Sequence, residues 1–195
     1  MQKPSRLLFF LFFFLSYTGI AAAHLIGGNG LSSGLAHPFF GPDHLLAMVA
    51  VGIISTQAGG RKGIIAVPMA FVASMVFGGA LAIAGIPLPA VETGIGISVL
   101  VLGIMIAFSK KIPMKWAIAC VAIFALFHGH AHGEELSAIS NPALYVFGFV
   151  FSTAVLHITG ALVGHYAKKT EFTFNALRAA GALMAIAGLF FLFFG

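Results

Sequence analysis

Long apolar runs separated by short polar joins dominate the chain from about residue 30 onward. Because about 20 apolar residues cross the hydrocarbon core of a bilayer, these runs have the length of membrane-spanning helices. Glycine and proline, which interrupt helices, mark the joins, as at Gly59-Gly60 and Asn141-Pro142. The pattern predicts an all-α polytopic membrane protein with six spans, at residues 32–56, 63–84, 91–109, 114–132, 142–166 and 174–194.

The first 23 residues have a different layout. Lys3 and Arg6 precede an apolar stretch shorter than a full span, and Ala21-Ala22-Ala23 follows it. A basic region, an apolar region and small residues, in that order, are typical of a secretory signal peptide. We therefore expect a signal peptide at residues 1–23 and a transmembrane domain at residues 24–195, or seven helices if the signal is retained. Cleavage there would leave His24 at the N-terminus, where its amine and imidazole together could bind a metal.

Composition supports the membrane assignment and excludes several classes of function. Hydrophobic residues make up 60% of the chain and charged residues 8%, with a mean hydropathy of +1.06. The chain has no P-loop motif and no room for a nucleotide-binding domain, so transport powered by ATP on this chain is not expected. Cys120 is the single cysteine, which rules out an internal disulfide and a cysteine-rich zinc site.

The net charge of +5 is better explained by membrane topology than by nucleic-acid binding, because the basic residues cluster at alternate joins. The joins at residues 85–90 and 133–142 contain no lysine or arginine. The positive-inside rule therefore predicts a bacterial cytoplasmic membrane protein whose mature termini both face the periplasm. The basic residues after the signal are Arg61, Lys62, Lys110, Lys111, Lys115, Lys168, Lys169 and Arg178.

The first span carries an unusual polar segment, HPFFGPDH, at residues 37–44. Ionisable groups inside a span are costly and by default indicate function. In a straight helix His37 and His44 would lie about 10 Å apart along the axis, too far for one ion. Pro38 and Pro42 can interrupt the helix, and a kinked entry would bring both histidines and Asp43 together.

The fourth span ends in a second polar segment, FHGHAHGEE, at residues 127–135. His128 and His132 are four residues apart and share one helix face, so they can chelate one ion, whereas His130 points largely the other way. We expect His130 and Glu134 to contribute least. Gly129 and Gly133 form a small-xxx-small pair, which lets a neighbouring helix approach closely.

The predicted topology places both segments at the periplasmic end of the bundle. Glu92 begins the third span at that end, where it is either a ligand or an ordinary acidic residue at a helix N-terminus. Met48, one turn after His44, could add a thioether ligand. His157 lies in the middle of the fifth span and is either an inner step of an ion path or a packed histidine.

Imidazole and carboxylate ligands without thiolate favour nickel, cobalt, zinc or copper over magnesium or calcium. A metal-transport site is one reading of this set. The alternative is a zinc-dependent intramembrane hydrolase, in which a His-x-x-x-His pair, a third histidine and an aspartate hold Zn²⁺ and activate water. No evident nucleophile or acid–base pair supports it. A periplasm-facing metal sensor is a third reading, which would need a partner to pass on the signal.

In these two segments the sequence resembles the HupE/UreJ family of nickel and cobalt permeases. The first family motif looks like H-P-x-x-G-x-D-H-x-x-x-M-x-x-V-G and the second like F-H-G-x-A-H-G-x-E. One departure is Ile53-Ile54, where the family leads us to expect a nearby aromatic residue. The fixed positions of the two motifs are met here by His37, Pro38, Gly41, Asp43, His44, Met48, Val51 and Gly52, and by Phe127, His128, Gly129, Ala131, His132, Gly133 and Glu135.

The resemblance implies secondary, non-ATP uptake of Ni²⁺ or Co²⁺ across the cytoplasmic membrane, supplying a hydrogenase, a urease or cobalamin synthesis. We expect no enzyme activity, no permanently bound cofactor and no nucleic-acid partner. The expected partners are the metal ion and the lipid bilayer, and a homo-oligomer is possible. The expected outer capture site contains His37, Asp43, His44, His132 and Glu135, assisted by His128 and Glu92, with Met48 and His157 as candidate inner steps.

Overall fold

The computed structural model describes residues 30–136 and 140–194, and within these ranges all the regular elements are helices, as the sequence predicts. The signal-peptide segment and His24 lie outside the described residues. A 3₁₀ turn at Ala167–Lys169 joins the last two helices. The helices are α1 (Gly30–Phe40), α2 (Pro42–Gln57), α3 (Gly60–Ile83), α4 (Val91–Phe108), α5 (Met114–Glu135), α6 (Pro142–Tyr166) and α7 (Glu171–Phe194).

Five of these helices, α3 to α7, are long and apolar enough to cross a membrane. Helices α1 and α2 pass the same test only as a pair, and they are bent by 79° relative to each other. Counted as one broken span, the pair completes the six predicted spans. The chain is therefore a multi-pass membrane protein, and its first span differs from the other five in having a sharp internal corner.

The corner between α1 and α2 follows from the local sequence. Gly41 precedes a proline, and a residue in that position is disfavoured in helical backbone. Its backbone is extended, with φ −85° and ψ 106°. Pro42 then restarts the helix in the first position, where its missing N–H costs nothing. Asp43 lies in the first turn of α2, where the helix dipole favours a carboxylate.

Helix α2 is the central element of the bundle and contacts chiefly α6, α3 and α4. Small residues allow its close approach to α6. A Cβ atom added at Gly52 would collide with the carbonyl of His157, and one added at Gly160 would collide with the carbonyl of Val49. These glycines fix the axial register of the two helices.

The predicted small-residue pair of the fourth span is confirmed as a packing surface. Gly129 and Gly133 of α5 face the backbone of α3, and an added Cβ would meet the carbonyls of Met75 and Gly79 respectively. Close contact on this side holds the last turns of α5 in position.

The two ends of the bundle differ in charge. At one end Lys168 Nζ donates to the Thr56 carbonyl at 2.7 Å, and Arg178 Nε donates to the Ala107 carbonyl at 2.9 Å. These contacts attach the last turns of α2 and α4 to the α6–α7 connection and to the start of α7, and the other basic residues lie in or beside the connections at this same end. The histidine segments lie at the opposite end. Which end faces the cytoplasm stays a prediction from the positive-inside rule.

Candidate metal centre

Four imidazoles from three helices meet at the end of the bundle opposite the basic residues. His44 of α2 lies at the centre, with ring centroids 4.7 Å from His128 and 4.5 Å from His132, both of α5. His37 of α1 lies 4.7 Å from His132. We call these four residues the four-histidine cluster. The structure thus brings both predicted motifs to one place.

The corner at Gly41 makes this grouping possible. The rings of His37 and His44 are 6.1 Å apart, whereas a straight helix would separate the two residues by about 10 Å along its axis. The predicted break is therefore present at Gly41, before Pro42, whereas the same prediction for Pro38 was wrong, because Pro38 lies inside α1. The single break is enough to let His37 and His44 act at one site.

Glu135 adds a carboxylate beside His37 and His132. Its Oε2 atom lies 3.5 Å from His37 Nε2 and 3.6 Å from His132 Nδ1. One donor atom from each of these three residues lies within 4.8 Å of the others, a spacing that a single ion can bridge. The Glu135 side chain is 48% exposed, so this part of the cluster is its opening to solvent.

Asp43 is placed to orient His44. Its Oδ1 atom accepts from the backbone N–H of His44 at 2.8 Å and lies 2.9 Å from His44 Nδ1. Because a carboxylate only accepts, the proton of the imidazole is on Nδ1 and the lone pair is on Nε2. Nε2 is buried and has no hydrogen-bond partner in the described part of the chain. A carboxylate that holds a histidine in this tautomer is a common second layer of metal sites.

Ser98 of α4, a residue that was not predicted from the sequence, orients His128 in the same way. The Ser98 hydroxyl donates to the Ile95 carbonyl at 2.6 Å, so its oxygen accepts from His128 Nε2 at 2.9 Å. The lone pair of His128 is then on Nδ1, which is buried and has no partner among residues 30–136 and 140–194. The one sequence signal was a lone serine in a strongly apolar part of α4, with nothing to indicate its partner.

His132 completes a set of buried nitrogens without hydrogen bonds. Neither of its ring nitrogens has a hydrogen-bond partner within the described ranges, although Nδ1 is near Glu135. Buried polar atoms in proteins are nearly always bonded, and exceptions require an explanation. The unbonded nitrogens of His44, His128 and His132 belong to adjacent rings and are therefore candidate ligands for a cation.

Two aromatic residues of α6 form one wall of the cluster and were also missed. Phe149 packs against His132 with 4.1 Å between ring centroids, and Tyr145 lies 6.0 Å from His37. Their four-residue spacing places them on one helix face, but the sequence contains many phenylalanines at similar spacing. Only the packing of α6 against α1 and α2 singles them out.

His130 and Glu134 lie outside the cluster, as the sequence analysis expected. His130 Nε2 is 3.0 Å from the Ile86 carbonyl and 3.2 Å from the backbone nitrogen of Leu88, and Nδ1 is 3.7 Å from Glu134. His130 therefore attaches α5 to the connection between α3 and α4.

The three remaining candidates occupy different positions. Glu92 is exposed in the first turn of α4, and in the described structure it makes no hydrogen bond or ion pair with the four-histidine cluster. Met48 is fully buried in α2, one turn beyond His44. His157 is buried in α6, away from the cluster, and packs against Phe71.

Comparison with known proteins decides the family. A family model described as HupE / UreJ protein matches residues 12–191. The chain belongs to the HupE/UreJ family. A curated HupE/UreJ relative, Protein HupE of Rhizobium leguminosarum bv. viciae, is 45% identical over 177 residues, which cover 89% of this chain and 91% of the relative. No solved structure matches the chain. The resemblance drawn from the two motifs is thereby confirmed.

Proposed function

We propose that this HupE/UreJ protein takes up a divalent transition metal ion, Ni²⁺ or Co²⁺, by secondary transport across the cytoplasmic membrane. The observation that carries the proposal is the convergence of four imidazoles and two carboxylates at one end of a membrane-spanning bundle. His37, His44, His128, His132 and Glu135 contact the ion. Asp43 acts mainly by orienting His44.

The donor set agrees with such a substrate. Neutral imidazole nitrogens suit nickel, cobalt and zinc, whereas magnesium and calcium prefer oxygen ligands. Transport also requires an ion that can leave again. The half-exposed Glu135 at the opening supports capture from solvent, and its position at the edge of the cluster keeps the site open on one side.

The position of the site supports the proposed direction of transport, from the periplasm into the cell. The four-histidine cluster lies at the end of the bundle that the positive-inside rule assigns to the periplasm. An ion captured there enters the cell when it is released at the basic end. The zinc-dependent hydrolase of the sequence analysis gains no support from the family or from the described side chains.

Accumulation of radioactive nickel in cells tests the proposal, with cobalt and zinc as competitors and with or without an uncoupler. Cells that express the wild-type protein should accumulate nickel, and cobalt should compete. His132→Ala should abolish accumulation. His165→Ala is the matched control, since His165 is an exposed histidine at the basic end of α6. Wild-type cells that accumulate no more metal than cells without the protein would contradict the proposal.

A further inference from the structure

The interior of the bundle contains a second polar group, separate from the four-histidine cluster. His157 of α6 is 3% exposed, and Thr153, one turn earlier on the same face, is fully buried. Both ring nitrogens of His157 and the hydroxyl oxygen of Thr153 lack a hydrogen-bond partner in the part of the chain that the structure describes. A packed histidine normally satisfies at least one nitrogen. Simple packing therefore does not explain this pair.

The helix register places the pair deep in the bundle. Gly52 of α2 abuts the carbonyl of His157, and Gly52 lies eight residues after His44. Gly52 is level with Gly160, because an added Cβ at either residue would lie about 3 Å from the Cα of the other, and His157 comes three residues before Gly160. His157 is therefore near the level of Val49, about 7 Å further along α2 than His44.

The same register brings a third donor to this depth. Gly160 abuts Val49 and Gly164 abuts Ile53, so α2 and α6 run in the same direction. Met48, one turn before Gly52, then lies at the level of the turn that joins Thr153 to His157. Its thioether is the only sulfur donor in α2, and the side chain is fully buried.

One aromatic ring connects the two polar regions. Phe71 of α3 is fully buried and packs against His157, with ring centroids 5.2 Å apart and planes perpendicular. The same ring lies 6.0 Å from His128 of the outer cluster. Phe71 therefore lies between the four-histidine cluster and His157.

We propose that His157, Thr153 and Met48 form an inner binding station for the transported metal ion. This inference rests on the proposed function and adds a second site to it. The station has an imidazole, a hydroxyl and a thioether, which favour nickel or cobalt over magnesium or calcium. None of the five acidic residues lies in α6 or at this level of α2. A cation without a counter-charge in this environment is bound weakly, as an intermediate step of transport requires.

Two conservative variants and one matched control test the station. His157→Gln removes the imidazole, and Thr153→Val removes only the hydroxyl, at nearly constant volume. Thr159→Val is the control, because Thr159 is an exposed threonine of the same helix whose hydroxyl donates to its own backbone at Val155. Each full-length protein is purified, its Ni²⁺ affinity is measured by calorimetry in nanodiscs, and its Ni²⁺ flux is measured in proteoliposomes.

We expect His157→Gln and Thr153→Val to keep the wild-type affinity of the outer site while flux falls about tenfold, and Thr159→Val to behave as wild type. Wild-type flux in both variants would overturn the inner station. If His157→Gln does not fold, Thr153→Val distinguishes an ion-binding role from a packing role. If Thr153 only packs, replacing its unbonded buried hydroxyl by a methyl group should leave the Ni²⁺ flux unchanged and the protein equally stable or more stable. Absence of flux in the wild-type protein would instead overturn the proposed function.

Discussion

The two histidine motifs reach the same site through opposite kinds of backbone. In the second motif, regular helix α5 places His128 and His132 one turn apart on a common face. In the first, the helix ends at Phe40 and restarts at Pro42, and the 79° corner brings His37 back towards His44. One half of the site is thus set by helical periodicity, and the other half is set by a turn that breaks it.

The two halves are also supported differently. Gly129 and Gly133 pack α5 against α3. The corner is held by α6, where Ser152 Oγ donates to the Leu35 carbonyl at 2.8 Å and the Tyr145 carbonyl fits against Gly34. Changes in α5 should therefore act through missing ligands, whereas changes at the corner should act through the position of His37 and His44.

The largest effect is expected from His132→Ala. His132 is the residue where the two halves meet, since it contacts His37, His44 and Glu135. Its removal should reduce nickel uptake to background while the protein stays in the membrane. Uptake assays and a membrane immunoblot measure both quantities, with His165→Ala as the control. Uptake near the wild-type level would mean that the two motifs do not share an ion.

Asp43→Asn should come next. The amide can donate to His44 Nδ1, which moves the imidazole proton to Nε2 and blocks the lone pair that faces the cluster. We expect metal affinity to fall by about 10- to 100-fold, the usual cost of losing an orienting partner. Calorimetry on the purified variant measures this change. Wild-type affinity, together with unchanged uptake in metal-limited medium, would show that Asp43 does not contribute to the site.

Ser98→Ala tests the corresponding support of the α5 half. Without the hydroxyl acceptor, His128 is free to change tautomer, and we expect metal affinity to fall about tenfold. Ser55→Ala is the matched control, because Ser55 is a buried serine whose hydroxyl donates to its own helix at Gly52 and has no hydrogen bond to a histidine among the described residues. Equal affinities in the two variants would show that Ser98 does not act through His128.

The smallest effect is expected from Gly41→Ala. Its backbone conformation suits any residue, but the added Cβ would lie 3.2 Å from Asp43 Oδ1 and from His44 Nδ1. A shift of a few tenths of an ångström should weaken binding by less than about tenfold, since misplacement by a full ångström costs about a hundredfold in catalytic sites. The dissociation constant for Ni²⁺ measures this effect. A loss as large as that of His132→Ala would show that the corner tolerates no adjustment.

The sequence was sufficient for the parts of the site that depend on local rules. Apolar runs located the spans, Pro42 predicted the break in the first span, and the spacing of His128 and His132 predicted their common face. The positions of the basic residues placed both motifs at one end. Each of these conclusions depends on residues close together in the chain, where backbone geometry decides the outcome.

The rest depends on how the helices pack. Ser98 and His128 are 30 residues apart, and no periodicity shows that they meet. Tyr145 and Phe149 resemble the other aromatic residues of the spans until α6 is placed against the corner. The register of α2 and α6, set by Gly52 and Gly160, brings Met48 close to the level of His157, and this register depends on contacts between residues more than 100 positions apart.

The central claim is that both motifs bind one ion together, and X-ray absorption spectroscopy of the purified full-length protein loaded with Ni²⁺ tests it most directly. We predict one tightly bound ion per chain with several imidazole ligands. His37→Ala and His132→Ala should each reduce the imidazole signal at that same ion. Two tightly bound ions per chain, or a spectrum that His37→Ala leaves unchanged, would contradict a shared site and divide the two motifs into separate ones.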